Sequence, residues 1–276
     1  MQKIIFRDQI GSYADFIDQS IIDYISAESI ETYESFADYS LIAFDWYDLD
    51  RLSSPPAQII IYLDREDVFF ICENQTSFDV TQALFQEAES NERAVYQFFR
   101  NLFKGDAHKL ERMEDKISAL DDSIMAGHGG GKRERIAEMK YETLRLKKFY
   151  EPLESVFESL CDNDNGLISD GELKRFEVLR SRAADLLAQT MNLREYISQV
   201  RESYQAQIGI EQNDLMKLFT LVTSIFLPLT LLVGWYGMNF SMPEFGWRFG
   251  YAGVIAVTLI ICAVWFLVFK RKNWFK

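Results

Sequence analysis

Two long uncharged stretches near the C-terminal end constrain this chain more than any other feature. From Leu218 to Pro243 there are 26 consecutive residues without a formal charge, and from Phe249 to Phe269 another 21. A membrane-spanning helix needs about 20 apolar residues, so each stretch is long enough, and two in succession argue against a buried soluble helix pair. Only the short segment around Glu244 and Arg248 separates them, which predicts an antiparallel hairpin of two spans. Lys270, Arg271, Lys272 and Lys276 crowd the far flank, whereas the connecting loop holds one Arg and one Glu. The positive-inside rule then places the C-terminus in the cytoplasm and, after two spans, the N-terminal 210 residues as well. The expected location is therefore a cell's inner (cytoplasmic) membrane, with both termini on the cytoplasmic side. Trp235, Tyr236, Phe240, Trp247 and Tyr251 would mark one membrane interface, and Trp265, Trp274 and Phe275 the other.

Charge separates the chain in the same way. Residues 211–276 hold six Lys/Arg against three Asp/Glu, a surplus of +3, so a whole-chain charge of −13 leaves −16 on residues 1–210. Such a body is a poor nucleic-acid binder, because phosphate contact needs clustered Lys and Arg. It would attract cations and raise their local concentration. Three widely spaced cysteines (Cys72, Cys161, Cys262) form no CxxC pair, which argues against a disulfide framework or a structural zinc site. His108 and His128 are the only histidines, which excludes a His-rich metal cluster or a histidine-based triad. No constellation for an enzyme is visible. The apolar start Met1–Phe6 meets Arg7-Asp8 at once, so no cleaved signal is expected.

The pattern divides the chain into an α/β domain (1–88), a helical hairpin (89–168), a stalk helix (169–217), a first span (218–238), an external loop (239–248), a second span (249–269) and a basic tail (270–276). In the first part, Ser40–Trp46, Ile59–Leu63 and Val68–Cys72 read as strands and Asp79–Glu89 as a helix. Leu110, Met113, Ile117, Leu120 and Ile124 step by three and four, as do Ile136, Met139, Leu146, Tyr150, Leu153 and Phe157 after the glycines at 127–131. Ser169-Asp170-Gly171-Glu172 has capping-box spacing, so a helix should begin there. Apolar or small residues then recur at 176, 179, 183, 186, 190, 193, 197, 200 and 204, and no proline intervenes before Pro228. One helix from 170 to about 238 would be on the order of 100 Å long. It should pack against the hairpin and against copies of itself, because a lone helix of that kind is unstable.

Two segments imitate other sites. Cys161–Glu172 has Asn163, Asn165, Gly166 and Glu172 at EF-hand positions, but the first ligand would be the soft Cys161. The glycines at 127–131 lack a P-loop's first glycine, and Arg133 replaces its Ser/Thr, so they read as a turn.

The segment Tyr236-Gly237-Met238-Asn239-Phe240, followed by Met242-Pro243-Glu244, closely resembles the signature of the CorA family of magnesium transport proteins. The resemblance extends back through Asn213, Met216, Lys217, Phe226, Pro228-Leu229-Thr230 and Gly234, and forward through Trp247 and Gly250-Tyr251 to the basic tail. It covers about 65 residues; Phe245, where leucine is common, and a short N-terminal domain depart from it. It implies an α+β membrane protein: a small cytosolic α/β domain, a helical hairpin, and a stalk helix continuing into the first span, five copies of which form a funnel. It implies a passive channel carrying magnesium, with cobalt and nickel as further candidates, gated by cytosolic magnesium. Gly237, Met238 and Asn239 would form the selectivity filter. Asn213, Met216, Phe219, Thr220, Thr223, Leu227, Thr230 and Gly234 would line the pore, and Glu244 would sit in the external loop. Glu177 and Asp185 on the stalk are candidates for a regulatory metal site between protomers. The partners would be like subunits, the lipid bilayer and divalent cations, with no organic cofactor. The alternatives are a zinc or other divalent transporter of the same fold, or a membrane-tethered acidic sensor or scaffold. The topology has a direct check: labelling of a cysteine at residue 60 by an impermeant thiol reagent added outside intact cells would overturn the orientation.

Overall fold

The computed structural model describes residues 1–27, 30, 32–48, 54–126, 130–239 and 243–271, apart from the side chains of Glu244 and Phe245. Phe240, Met242, the glycines at 127–129, and Lys272, Trp274, Phe275 and Lys276 of the tail lie outside the described residues. The chain divides into two compact units, Met1–Ser203 and Tyr204–Lys276.

The first unit is built on a five-stranded sheet: β1 (Gln2–Phe6), β2 (Tyr33–Ser35), β3 (Tyr39–Trp46), β4 (Ala57–Asp64) and β5 (Val68–Cys72). Their spatial order is β1-β5-β4-β3-β2, with β1 parallel to β5 and the other neighbours antiparallel. The near-continuous apolar runs of β4 and β5 follow from helices on both faces of the sheet. On one face Ile60, Tyr62, Phe69 and Ile71 pack with Ile17, Ile21, Ile22 and Ile25, the last three from α1 (Gln19–Ser26). On the other, Phe44 and Phe70 meet the rings of Phe98 and Phe99 from α3 (Asn91–Leu102), with the Phe70–Phe98 centroids 4.8 Å apart.

The helix expected over Asp79–Glu89 is displaced to α2 (Gln75–Leu84). Asn74 caps it reciprocally: its side chain accepts from the Ser77 amide (3.0 Å), while Ser77 Oγ accepts from the Asn74 amide (3.0 Å). Beyond Leu84 the chain turns extended at Phe85, whose ring packs on Phe70, and Asn101 Nδ2 donates to the Leu84 carbonyl at 2.9 Å. Strands β1 and β2 were not among the expected elements.

The helical region holds α3, α4 (Asp106–Met125) and α5 (Lys132–Asp162). Gly105, at φ +86°, breaks α3 from α4 in a conformation that disfavours any side chain. The expected stripes on α4 and α5 are buried at each named position. Next comes α6 (Asp170–Tyr236), a single helix of 67 residues that runs through Pro228. It starts at the expected place, but not by the expected capping box. The Ser169 hydroxyl donates to Glu92 (3.2 Å), and the buried Glu172 carboxylate pairs with Arg93 and Arg175, each at 3.5 Å. The EF-hand-like loop before it uses its ligands elsewhere. Asn163 exchanges hydrogen bonds with the Ile168 backbone, and Asn165 Nδ2 donates to the Phe36 carbonyl and Ser40 Oγ.

A buried polar node joins three helices. The Tyr150 hydroxyl of α5 donates to Asp106 Oδ2 at 3.0 Å, Lys109 lies 3.6 Å from Asp106 Oδ1, and Arg182 of α6 donates to the Phe103 carbonyl at 2.9 Å. Burial pushes the Asp106 carboxyl above its usual range, against the pull of Lys109 and the hydrogen bond from Tyr150. Asp106 is 2% exposed, so a lost partner cannot be replaced by bulk water. Tyr150→Phe should therefore destabilise the first unit by about 1–3 kcal/mol, read as a lower denaturation midpoint of the full-length protein. An unchanged midpoint would remove the node from the account.

Candidate ion pathway

In the second unit, α6 is followed by a loop and by α7 (Gly250–Arg271). Both helices are long and apolar enough to cross a membrane by length and composition. The buried stripe of α6 ends at Val200, and no described residue from 201 to 239 is buried within the chain. Leu227 is 74% exposed, and Met216 and Phe219 are each 63% exposed, an uncovered apolar surface of the kind that marks contact with a membrane or another chain.

At about 100° per residue, Asn213, Met216, Thr220, Thr223, Leu227, Thr230 and Gly234 fall on one stripe of α6 about 100° wide. Phe219 sits at its edge. Polar and bulky apolar residues alternate along it, and the line carries no carboxylate from Leu218 to Pro243. At the N-terminal end of the stripe, Lys217 pairs with Asp214 at 2.8 Å.

The hydroxyls on this stripe are oriented by the helix itself. Thr220 donates to the Met216 carbonyl (2.7 Å), Thr223 to Phe219 (2.7 Å) and Thr230 to Phe226 (2.8 Å). Each proton is thereby committed one turn back, which leaves the oxygen lone pairs as outward acceptors. Sequence reasoning named these threonines but not this commitment; the signal was the helical setting, in which a threonine hydroxyl reaches the fourth carbonyl back.

The helix tightens as it ends. The Gly237 amide still donates to Val233 (2.9 Å), and Met238 then closes a three-residue turn to Trp235 (3.3 Å). A Cβ at Gly237 would meet the Val233 carbonyl at 3.0 Å, which accounts for glycine there. Gly234, by contrast, faces open space within the chain. Asn239 is exposed just beyond the last turn. A cleft of about 520 Å³ lies between the ends of α6 and α7, lined by Tyr236, Gly237, Trp247, Arg248 and Tyr251 among others. The sequence had assigned its aromatic residues to the membrane interface and to the family resemblance, not to a cleft.

Glu177 and Asp185 are exposed on the part of α6 that belongs to the first unit. Among the described residues, no three His, Cys, Asp or Glu side chains of one chain converge on a common metal position. The Glu244 side chain lies outside the described residues.

The profile of the CorA-like Mg2+ transporter protein family matches residues 9–271. The chain is 30% identical over 166 residues to the cobalt/magnesium transport protein CorA of Thermotoga maritima, a match covering 60% of this chain and 47% of that protein. It is 43% identical over 189 residues to the magnesium transport protein CorA of Yersinia pseudotuberculosis, covering 65% of this chain and 59% of the relative. The matches thus span about half to three-fifths of these relatives. The complete structure of the CorA magnesium transporter from Methanocaldococcus jannaschii superposes with a TM-score of 0.79 at 19% identity, covering 97% of this chain and 88% of that one, which shows a shared fold. With the family profile covering nearly its whole length, the chain belongs to the CorA-like Mg2+ transporter family.

Proposed function

We propose that this protein assembles as a homopentamer in a cytoplasmic membrane and passes hydrated magnesium into the cell along the α6 stripe. The observation that carries this reading is the uncovered line of acceptor oxygens on α6, leading to Gly237-Met238-Asn239. Magnesium sheds its water reluctantly, so a fast route should handle the ion with its hydration shell on. Those waters present protons outward, and a wall of acceptors suits them. Asn239 supplies an amide carbonyl at the outer mouth, where a ring of copies would hold the hydrated ion without trapping it. Met216, Leu227 and Phe219 would form apolar constrictions that gate by dewetting. Glu244 would concentrate cations outside.

The flux needs no coupled energy source. A divalent ion moving down a potential gains about 4.6 kcal/mol per 100 mV, twice the value for one charge. Cobalt is the next cargo to consider, given the cobalt/magnesium designation of the Thermotoga maritima relative. For regulation, magnesium bridging acidic residues of neighbouring protomers, with Glu177 and Asp185 as candidates, would hold the assembly closed until cytosolic magnesium falls. A mere tether would need neither the polar stripe nor Asn239, and nothing in the reading calls for enzymatic chemistry.

Two outcomes follow. Extracted in detergent, the protein should appear as a pentamer by native mass spectrometry, and a stable monomer or dimer would sink the channel reading. Asn239→Ala should reduce magnesium uptake at least tenfold at matched expression with the pentamer intact, since losing one transition-state contact of about 1.4 kcal/mol is already a factor of ten. Asn239→Asp should instead tighten divalent binding and alter selectivity. Unchanged uptake in Asn239→Ala would take the residue out of the pathway.

A further inference from the structure

Arg145 on α5 carries a buried charge that forms no ion pair among the described residues. It is 5% exposed, and its guanidinium carbon lies 4.8 Å from the Tyr47 ring centroid and 5.8 Å from that of Tyr141. One Nη2 group donates to the Ser54 carbonyl, but Nε is buried with no hydrogen-bond partner. Among the described residues no carboxylate forms an ion pair with Arg145, although lone buried charges are costly unless paired. Aromatic faces offset part of that cost, yet they satisfy no N–H donor.

The same residues border open space. A cleft of about 320 Å³ is lined by Tyr47, Ser54, Pro55, Tyr141, Arg145 and Lys148 among others. Lys148 is exposed three residues along the same helix, so two cations flank one cavity. Asp45 is an acidic neighbour of Lys148; burial and then Glu73 push its carboxyl above the usual range, while Lys148 pulls it back down. We infer that this cleft binds a phosphate-bearing small anion of the cytosol, seated on the Arg145 guanidinium and the Lys148 ammonium. A planar guanidinium suits a phosphate's paired oxygens, a second cation suits a dianion, and the cavity is large enough for phosphate with an attached group. The anion would supply a counter-charge that no described residue gives Arg145. None of these residues belongs to the α6 pathway, so the proposal stands apart from the transport reading.

The test is calorimetry on the full-length protein in nanodiscs, free of divalent ions, with inorganic phosphate and with adenosine monophosphate against chloride at matched ionic strength. Saturable binding of either phosphate species is expected. Equal affinities would identify free phosphate as the source, and tighter monophosphate ester binding a nucleotide. Lys148→Gln, at an exposed position that leaves the fold untouched, should weaken binding roughly tenfold, the worth of one hydrogen bond to a charged group. Arg145→Lys keeps the charge but loses the fork, and should weaken it by at least as much. Heats no greater than those of chloride, or an affinity unchanged in Lys148→Gln, would overturn the site.

Discussion

Along α6 the buried face stops at Val200, and the helix continues for another 36 residues with none of its side chains buried by its own chain. That change of cover governs the rest of the molecule. Up to Val200, apolar residues at three-four spacing are covered by the first unit, and single side chains fix the contact: Glu172 to Arg93, Phe176 to the Tyr96 ring, Arg182 to the Phe103 carbonyl. Past it, exposed leucine, phenylalanine and valine need a different apolar surrounding, and a bilayer supplies one. A helix inside lipid keeps its backbone satisfied, but the hydrocarbon offers nothing to a line of hydroxyls and an amide. A polar stripe on a lipid-solvated helix therefore asks for water or for like copies, and a pore lined by several copies gives both.

In the proposed pathway, the chemistry of that stripe would favour a hydrated cation over a bare one. Direct ligation of magnesium needs oxygens at close range in near-octahedral array, which carboxylates usually help to provide. None stands on this span. Threonine oxygens whose protons are already donated to Met216, Phe219 and Phe226 can only accept, and they complement the outward protons of a hydration shell. The excess negative charge of residues 1–210 would draw cations toward that part of the chain.

Much of this was legible in the sequence because the signals are periodic. The spans show as charge-free runs, and the α4, α5 and α6 stripes show because a 3.6-residue repeat survives any tertiary detail. The one central sheet was legible where both faces are apolar, as in β4 and β5. Strand β1 was not, since its pairing partner β5 lies some 66 residues away and only that long-range parallel contact makes it a strand. Strand β2 is three residues of mixed polarity on a sheet edge. The α2 boundaries were missed because a Ser at the third helical position replaced the usual Glu of a capping box. In the candidate site, residue types and their shared face could be read directly. The direction of each hydroxyl depends on the backbone around it, and the number of copies around a pore is a property of surfaces between chains.

Ion flux tests the central claim most directly. Purified protein in liposomes, loaded with a magnesium-sensitive dye and given an inside-negative potential, should take up magnesium at a rate that rises with the imposed potential. Repeating the measurement with cobalt and with zinc would rank the cargoes, with magnesium ahead of zinc. Uptake no faster than in protein-free liposomes, with the protein shown to be inserted and assembled, would contradict the account.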